Sequence, residues 1–226
     1  MCDVARQYFM NIFQNQGGDF SPVIDVIHSS ISTVDNDKVT TPFTKAEFRS
    51  DIFSMHPDKC AGPDGYSPGF YQHFWNLCSD EIFKECCAWL DGAISPDLNI
   101  TNIALIPKCS SQVSMKDWHP IALCNVLYKI ISKVLTNRRK HVLPQCISDN
   151  QSAFVPERSI LDNAMVAIEV LHFMKIKTRG AERYVALKLD ISKAYDRMDW
   201  EYLRAVMSKM GFHEYVRRVC GLFCTC

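Results

Sequence analysis

Tyr184-Val185-Ala186-Leu187-Lys188-Leu189-Asp190-Ile191-Ser192-Lys193-Ala194-Tyr195-Asp196-Arg197-Met198-Asp199-Trp200 is the stretch on which the fold turns. Tyr184 to Leu189 is an apolar run with period-two character, which predicts a strand ending at Asp190. A Ser-Lys-Ala-Tyr-Asp turn follows, and an amphipathic helix opens near Asp199. Such a strand delivers one carboxylate to its C-terminal end, where a hard oxygen ligand suits a divalent cation. Two such cations need several carboxylates. No Asp-Asp pair occurs in the 226 residues, so the expectation is the first half of a two-metal site without the second.

On the C-terminal side, Trp200, Leu203, Val206, Met207 and Met210 predict a helix over 199–210 with Gly211 at its C-cap. A last helix is expected over 213–223. On the N-terminal side, 160–177 reads as a helix apolar on more than one face, hence central. Before it, Leu123, Val126, Leu127, Ile130, Ile131, Val134 and Leu135 give the cleanest helical period in the chain, which Pro144 ends. Thr101 to Lys108 reads as a strand stopped by Pro107, followed by a polar loop to Trp118. A long helix is predicted over 69–91, after a turn-rich loop built on Pro57 and Gly62-Pro63-Asp64-Gly65. Thr44 caps a helix to Met55, with Glu47 in the capping-box position. Residues 33–41 read as a linker, 22–31 as a short helix, and 5–14 as a helix closed by Gly17-Gly18. Two strands are too few for a well-covered sheet.

Composition is that of a globular chain, with 47% hydrophobic and 22% charged residues. Lys+Arg and Asp+Glu both total 25, so no global basic footprint for nucleic acid exists. Local clusters do: Arg138-Arg139-Lys140-His141, read as a solvated helix end, and Lys188, Lys193 and Arg197 around the aspartate. Eleven cysteines, an odd number, follow an N-terminus with no basic segment and apolar core. They are therefore expected to be free thiols in a reducing compartment, nucleus or cytoplasm, and not in a secreted protein. His213, Cys220, Cys224 and Cys226 have no familiar zinc spacing and rank behind buried or incidental cysteines. No apolar run reaches membrane-span length.

Asp58-Lys59-Cys60-Ala61-Gly62-Pro63-Asp64-Gly65, Ile106-Pro107-Lys108, Asp117-Trp118-His119-Pro120-Ile121, Tyr128-Lys129-Ile130-Ile131, Gln151-Ser152-Ala153-Phe154-Val155, the Asp190 motif and Gly211-Phe212 stand in a telling order. Together, over about 43–215, they resemble the reverse transcriptase of plant LINE-class (non-long-terminal-repeat) retrotransposons. The resemblance implies an α+β, helix-dominated fold: the fingers and first palm strand of a right-hand polymerase, an incomplete reverse transcriptase fold. Residues 1–42 would be an upstream helical extension and linker, and 43–226 a truncated reverse transcriptase-like domain.

The same resemblance makes Asp190 the first catalytic, metal-binding carboxylate, holding Mg²⁺ in the parental enzyme and not tightly in this chain alone. Without the surrounding series, Asp190 would read as a cap of the following turn. Lys108 takes the place of the lysine facing the nucleotide triphosphate, a compact ammonium against phosphate. His119 stands where the family has an arginine, and neutral imidazole cannot supply the guanidinium fork. Tyr195 occupies the aromatic gate against the 2′-hydroxyl, or serves as a core tyrosine at the junction. Asp196 reads as structural, pairing with Lys193 or Arg197. Arg158 is the nucleic-acid-binding candidate, with Glu157, where the family has glycine, expected to pair it.

RNA template, DNA primer and deoxynucleoside triphosphates are the implied partners, with no membrane. The family's further metal carboxylates and thumb lie downstream and find no counterpart in these residues. The expectation is therefore a truncated protein of retrotransposon origin without competent RNA-directed DNA polymerase (nucleotidyltransferase) activity of its own. Two other readings stay open: a nucleic-acid-binding module retaining fingers contacts, and a helical protein-interaction remnant.

Overall fold

The computed structural model describes residues 2–14, 17–92, 96–177, 184–191 and 193–223. They form eleven α-helices, two short 3-10 turns (Pro96–Asn99 and Met115–Asp117) and one hairpin: α1 (Cys2–Phe13), α2 (Ser21–Ile24), α3 (Thr33–Thr40), α4 (Lys45–Phe53), α5 (Pro68–His73), α6 (Trp75–Leu90), β1 (Asn102–Pro107), β2 (Trp118–Leu123), α7 (Val126–Arg139), α8 (Leu143–Cys146), α9 (Ile160–Ile176), α10 (Trp200–Lys209) and α11 (Glu214–Phe223). The chain is thus helix-rich with a small two-stranded sheet.

Local signals explain most boundaries. Thr44 accepts from the Glu47 amide while the Glu47 carboxylate takes the Thr44 amide at 2.8 Å, the reciprocal cap that starts α4. Asp199 caps α10 through the amides of Glu201 and Tyr202 at 2.9 and 3.0 Å. Gly211 then ends it at φ +93°, pressed against Ser29 and the Ile31 carbonyl.

The main core joins Phe48 and Ile52 of α4, Trp75, Ile82 and Trp89 of α6, and Val126, Ile130, Ile131 and Val134 of α7. Each such side chain, taken fully from water, contributes about 1.5–3 kcal/mol. A second cluster packs Ile31 and Val39 against Met207, Phe212 and Val216. Across it the amides of Ser30 and Ile31 donate to the Met210 carbonyl, both at 3.0 Å, and Asn36 holds the Gly211 carbonyl and the His213 amide. This is why residues 25–32 are irregular and the expected helix over 22–31 stops at Ile24: its backbone donors serve the end of α10.

Other elements correct the sequence reading. The 33–41 segment is helix α3, opened by a Ser32–Asp35 capping box that a hydrophobic-period scan passes over. The 69–91 helix is broken at Phe74 into α5 and α6. Trp118–Leu123 is a strand antiparallel to β1, with Leu105 opposite Pro120 and Pro107 opposite Trp118. Proline is tolerated there because each strand of a two-stranded sheet has an open edge.

The largest correction concerns the stretch quoted first. Residues 184–191 are not in a strand, and Val185, Leu187, Leu189 and Ile191 are 70–89% exposed. A strand exists only through its ladder, and no described segment lies alongside. The same cause displaces α9. It forms as expected but is not central: it buries no residue, and apart from the half-buried Met174 its large apolar side chains from Ile160 to Ile176 are 51–74% exposed.

Candidate active site

The hairpin sets the first part of the site. Opposed residues share a sheet face, and so do residues two apart on one strand. His119 lies opposite Ile106 in the register, so Lys108, two residues beyond Ile106, projects from that face as the diagonal neighbour of His119. Both side chains are exposed. The Lys108 amide donates to the Asp117 carbonyl at 2.8 Å, which extends the hairpin to the lysine. Asp117 is held below the usual carboxylate range by amide donation from Ser114 and Val113, with the Lys108 charge adding to it.

The second part is the turn after Asp190. Asp190 is exposed on the extended segment, and Tyr195 is 79% exposed with its ring 6.4 Å from that of Trp200. The turn is closed by the Arg197 amide on the Lys193 carbonyl at 3.1 Å and the Met198 amide on the Tyr195 carbonyl at 3.2 Å. Lys193 sits in the left-handed region at φ +53°. Burial pushes its ammonium pKa down; the charge of Asp196 opposes this, and those of Lys108 and Arg197 reinforce it. The Lys108 charge is thus felt at the turn, although the two residues lie more than 80 positions apart in sequence. Asp196 makes no ion pair among the described residues, so the expected pairing with Lys193 or Arg197 reduces to a field effect on Lys193. Behind the turn lies a cavity of about 590 Å³, walled by Tyr8, Ile12 and Phe13 on one side and Asp196 to Trp200 on the other.

Arg158 lies outside this constellation. Its guanidinium donates to the carbonyls of Ser148 at 2.6 Å and Gln151 at 2.8 Å and pairs with Asp149 at 3.1 Å. The anticipated pairing with Glu157 does not form among the described residues. Glu157 is exposed at φ +65°, a backbone state that explains why glycine suits this position.

Two groups went unread in the sequence. Gly62 packs against Asn125 at the start of α7, while Lys129 donates to the Cys60 carbonyl at 2.7 Å, so the 58–65 loop is bolted to that helix. Arg138, expected in a solvated helix end, is instead a nearly buried clamp. It takes both Glu47 oxygens at 2.8 Å, lies 3.8 Å over the Phe43 ring, and donates to the Pro42 carbonyl at 3.0 Å. Burial pushes the Glu47 pKa up, but hydrogen bonds from Arg138 and Thr44 outweigh it and hold the group below its usual range. Arg139 likewise turns inward, to the Leu135 carbonyl and the Cys220 sulfur. No residue type marks this in advance; only the neighbours do.

For a metal, the residues fall short. Among the described residues no three His, Cys, Asp or Glu side chains converge to hold an ion. One exposed carboxylate does not fix the octahedral shell of Mg²⁺. Of the cysteines imagined as a zinc set, Cys224 and Cys226 lie outside the described residues and Cys220 is a buried free thiol. No described helix is long and apolar enough to cross a membrane.

A helix-rich chain with a small lysine-ended hairpin has counterparts among known proteins. Residues 106–223, more than half of the chain, match the reverse transcriptase (RNA-dependent DNA polymerase) family, and the chain belongs to it. Members of that family generally use divalent metals. The chain is also similar to the "Transposon TX1 uncharacterized 149 kDa protein" of Xenopus laevis, with 29% identity over 215 residues. The match takes in 93% of this chain and 16% of the length of that relative.

Proposed function

We propose that this chain supplies the fingers and the opening of the palm of a right-hand polymerase from a non-long-terminal-repeat retrotransposon of the plant LINE class. Its part in RNA-templated DNA synthesis is to receive the incoming deoxynucleotide and the template. Residues 1–42 serve as the upstream extension and 43–226 as the polymerase portion. The observation that carries the reading is the match of residues 106–223, which take in Lys108, His119, Asp190 and Tyr195, to the reverse transcriptase family. The ordered motifs and the likeness to a transposon protein support it.

In this reading the Lys108 ammonium faces the triphosphate, where a compact, exposed cation offsets phosphate charge. His119 beside it offers a hydrogen bond in place of a bidentate fork. Tyr195 borders the sugar, and a ring there leaves no room for a 2′-hydroxyl. Asp190 contributes one carboxylate to a metal centre that needs further donors.

Equilibrium titration with dTTP and UTP, followed by the chemical shifts of residues 106–119 and 190–197, tests the assignment. Lys108→Ala should weaken dTTP binding about ten- to a hundred-fold, the value of one charge-assisted contact. Equal affinity of wild type and Lys108→Ala for dTTP would remove the hairpin from the site. Binding to single-stranded RNA should weaken with salt along a log–log slope set by the phosphates neutralised. A salt-insensitive complex would speak for a protein-interaction role.

A further inference from the structure

Lys193, in the turn after Asp190, lies against α1. Its ammonium is screened from solvent and has no hydrogen-bond partner among the described residues. It lies 4.5 Å over the ring of Phe9 and 5.1 Å over that of Tyr8. Those rings meet edge to face at 5.2 Å, and Phe9 stacks on Phe13 at 6.1 Å, so the two rings of the cage also pack on each other and on their own helix. Lys193 also adopts the left-handed backbone, which is costly for any residue with a Cβ. A buried ammonium without an acceptor is a second cost. Both are tolerated at one residue because the faces of two aromatic rings attract a desolvated cation strongly.

We propose that Lys193 is a positioning residue: its ammonium, caged by Tyr8 and Phe9, anchors the turn that carries Tyr195 to the upstream helix. Because the Lys193 carbonyl accepts the Arg197 amide, fixing Lys193 fixes the turn as a unit. Helix α1 is then a working part of the site. The clamp itself rests on the geometry alone; its consequence for nucleotide selection rests on the role proposed above for Tyr195.

The test uses the full chain with three variants: Tyr8→Leu/Phe9→Leu, which keeps apolar volume and removes the π faces; Lys193→Met, which keeps length and removes charge; and Lys193→Arg, which keeps the cation. Amide exchange of residues 193–199 should quicken about ten- to thirty-fold in the first two. Core amides of α4 and α7 should be unchanged, and Lys193→Arg should retain wild-type protection. The ratio of dTTP to UTP affinity should fall in the same two variants and be kept by Lys193→Arg. The clamp is overturned if Lys193→Met leaves exchange unchanged or slows it, since the charge would then be merely endured. It is equally overturned if protection falls throughout the chain. Selective loss at 193–199 in a protein whose wild type binds no nucleotide supports the clamp and counts against the site reading.

Discussion

Replacing Gly62 by alanine would set a Cβ within 2.6 Å of Asn125 Cα and closer still to its amide and side-chain oxygen. Those atoms are the backbone and cap of α7, not the free end of a flexible side chain, so the 58–65 loop must move away. Moving it strains or breaks the Lys129 bond to the Cys60 carbonyl (2.7 Å) and the Asp64 amide bond to Asn125 (3.3 Å). Overpacking costs ~1–3 kcal/mol and a hydrogen bond to a charged group ~1.5–3 kcal/mol. Partial relief of each leaves a net loss of about 3 kcal/mol, or roughly 6–12 °C in Tm for a chain of this size. Gly65, three residues on, is the control. It has φ +76° and open space around its missing Cβ. Gly65→Ala should therefore cost only the left-handed penalty of ~1–2 kcal/mol, and Gly65→Asn less, since asparagine tolerates that region. Thermal and urea melts of the three variants decide the matter. If Gly62→Ala is no worse than Gly65→Ala, the close approach of loop and helix is wrong.

Glu157→Gly should raise stability by about 0.5–1 kcal/mol, the left-handed strain relieved less the entropy glycine adds to the unfolded chain; a loss in urea melts would refute it. Asp51 is buried at 2.6 Å from Asn137, and burial raises its pKa. The sign follows: folding favours the protonated acid, so stability falls as pH rises from the unfolded value of ~3.9 through the raised folded one. Asp51→Asn should thus raise Tm at neutral pH, and the gain should vanish well below pH ~4; a gain independent of pH would point to another cause. Leu187→Lys and Leu189→Lys should suppress aggregation without lowering Tm, because neither side chain is packed; a cooperative loss of stability in both would mean that the 184–191 segment is paired in solution.

Features whose physics is short-range were legible in the sequence. The Thr44–Glu47 capping box, the period of α7 and the Gly211 C-cap each depend on atoms within a few residues, and each formed, although Leu123, counted in the α7 period, belongs to β2, and α7 stops at Arg139, short of Pro144. So did the glycine loop at 62–65, although which glycine needs space and which needs its φ emerged only when Asn125 came into contact. The reading of 184–190 as a strand went astray because alternation specifies a face, while a strand needs a partner, and pairing is a property of the whole fold. The reading of α9 as central went astray likewise: apolar residues all round state a demand for cover without supplying it. β2 hid behind Pro120, which only an edge position makes acceptable. For the candidate site, the sequence named Asp190, Tyr195, Lys108 and His119 from their order along the chain. Only the tertiary structure drew Arg158 into its own loop, made Arg138 a clamp and caged Lys193 on α1. The direction of a long cationic side chain is set by desolvation and by whichever acceptor or ring lies within reach, and neither is written in its neighbours along the sequence.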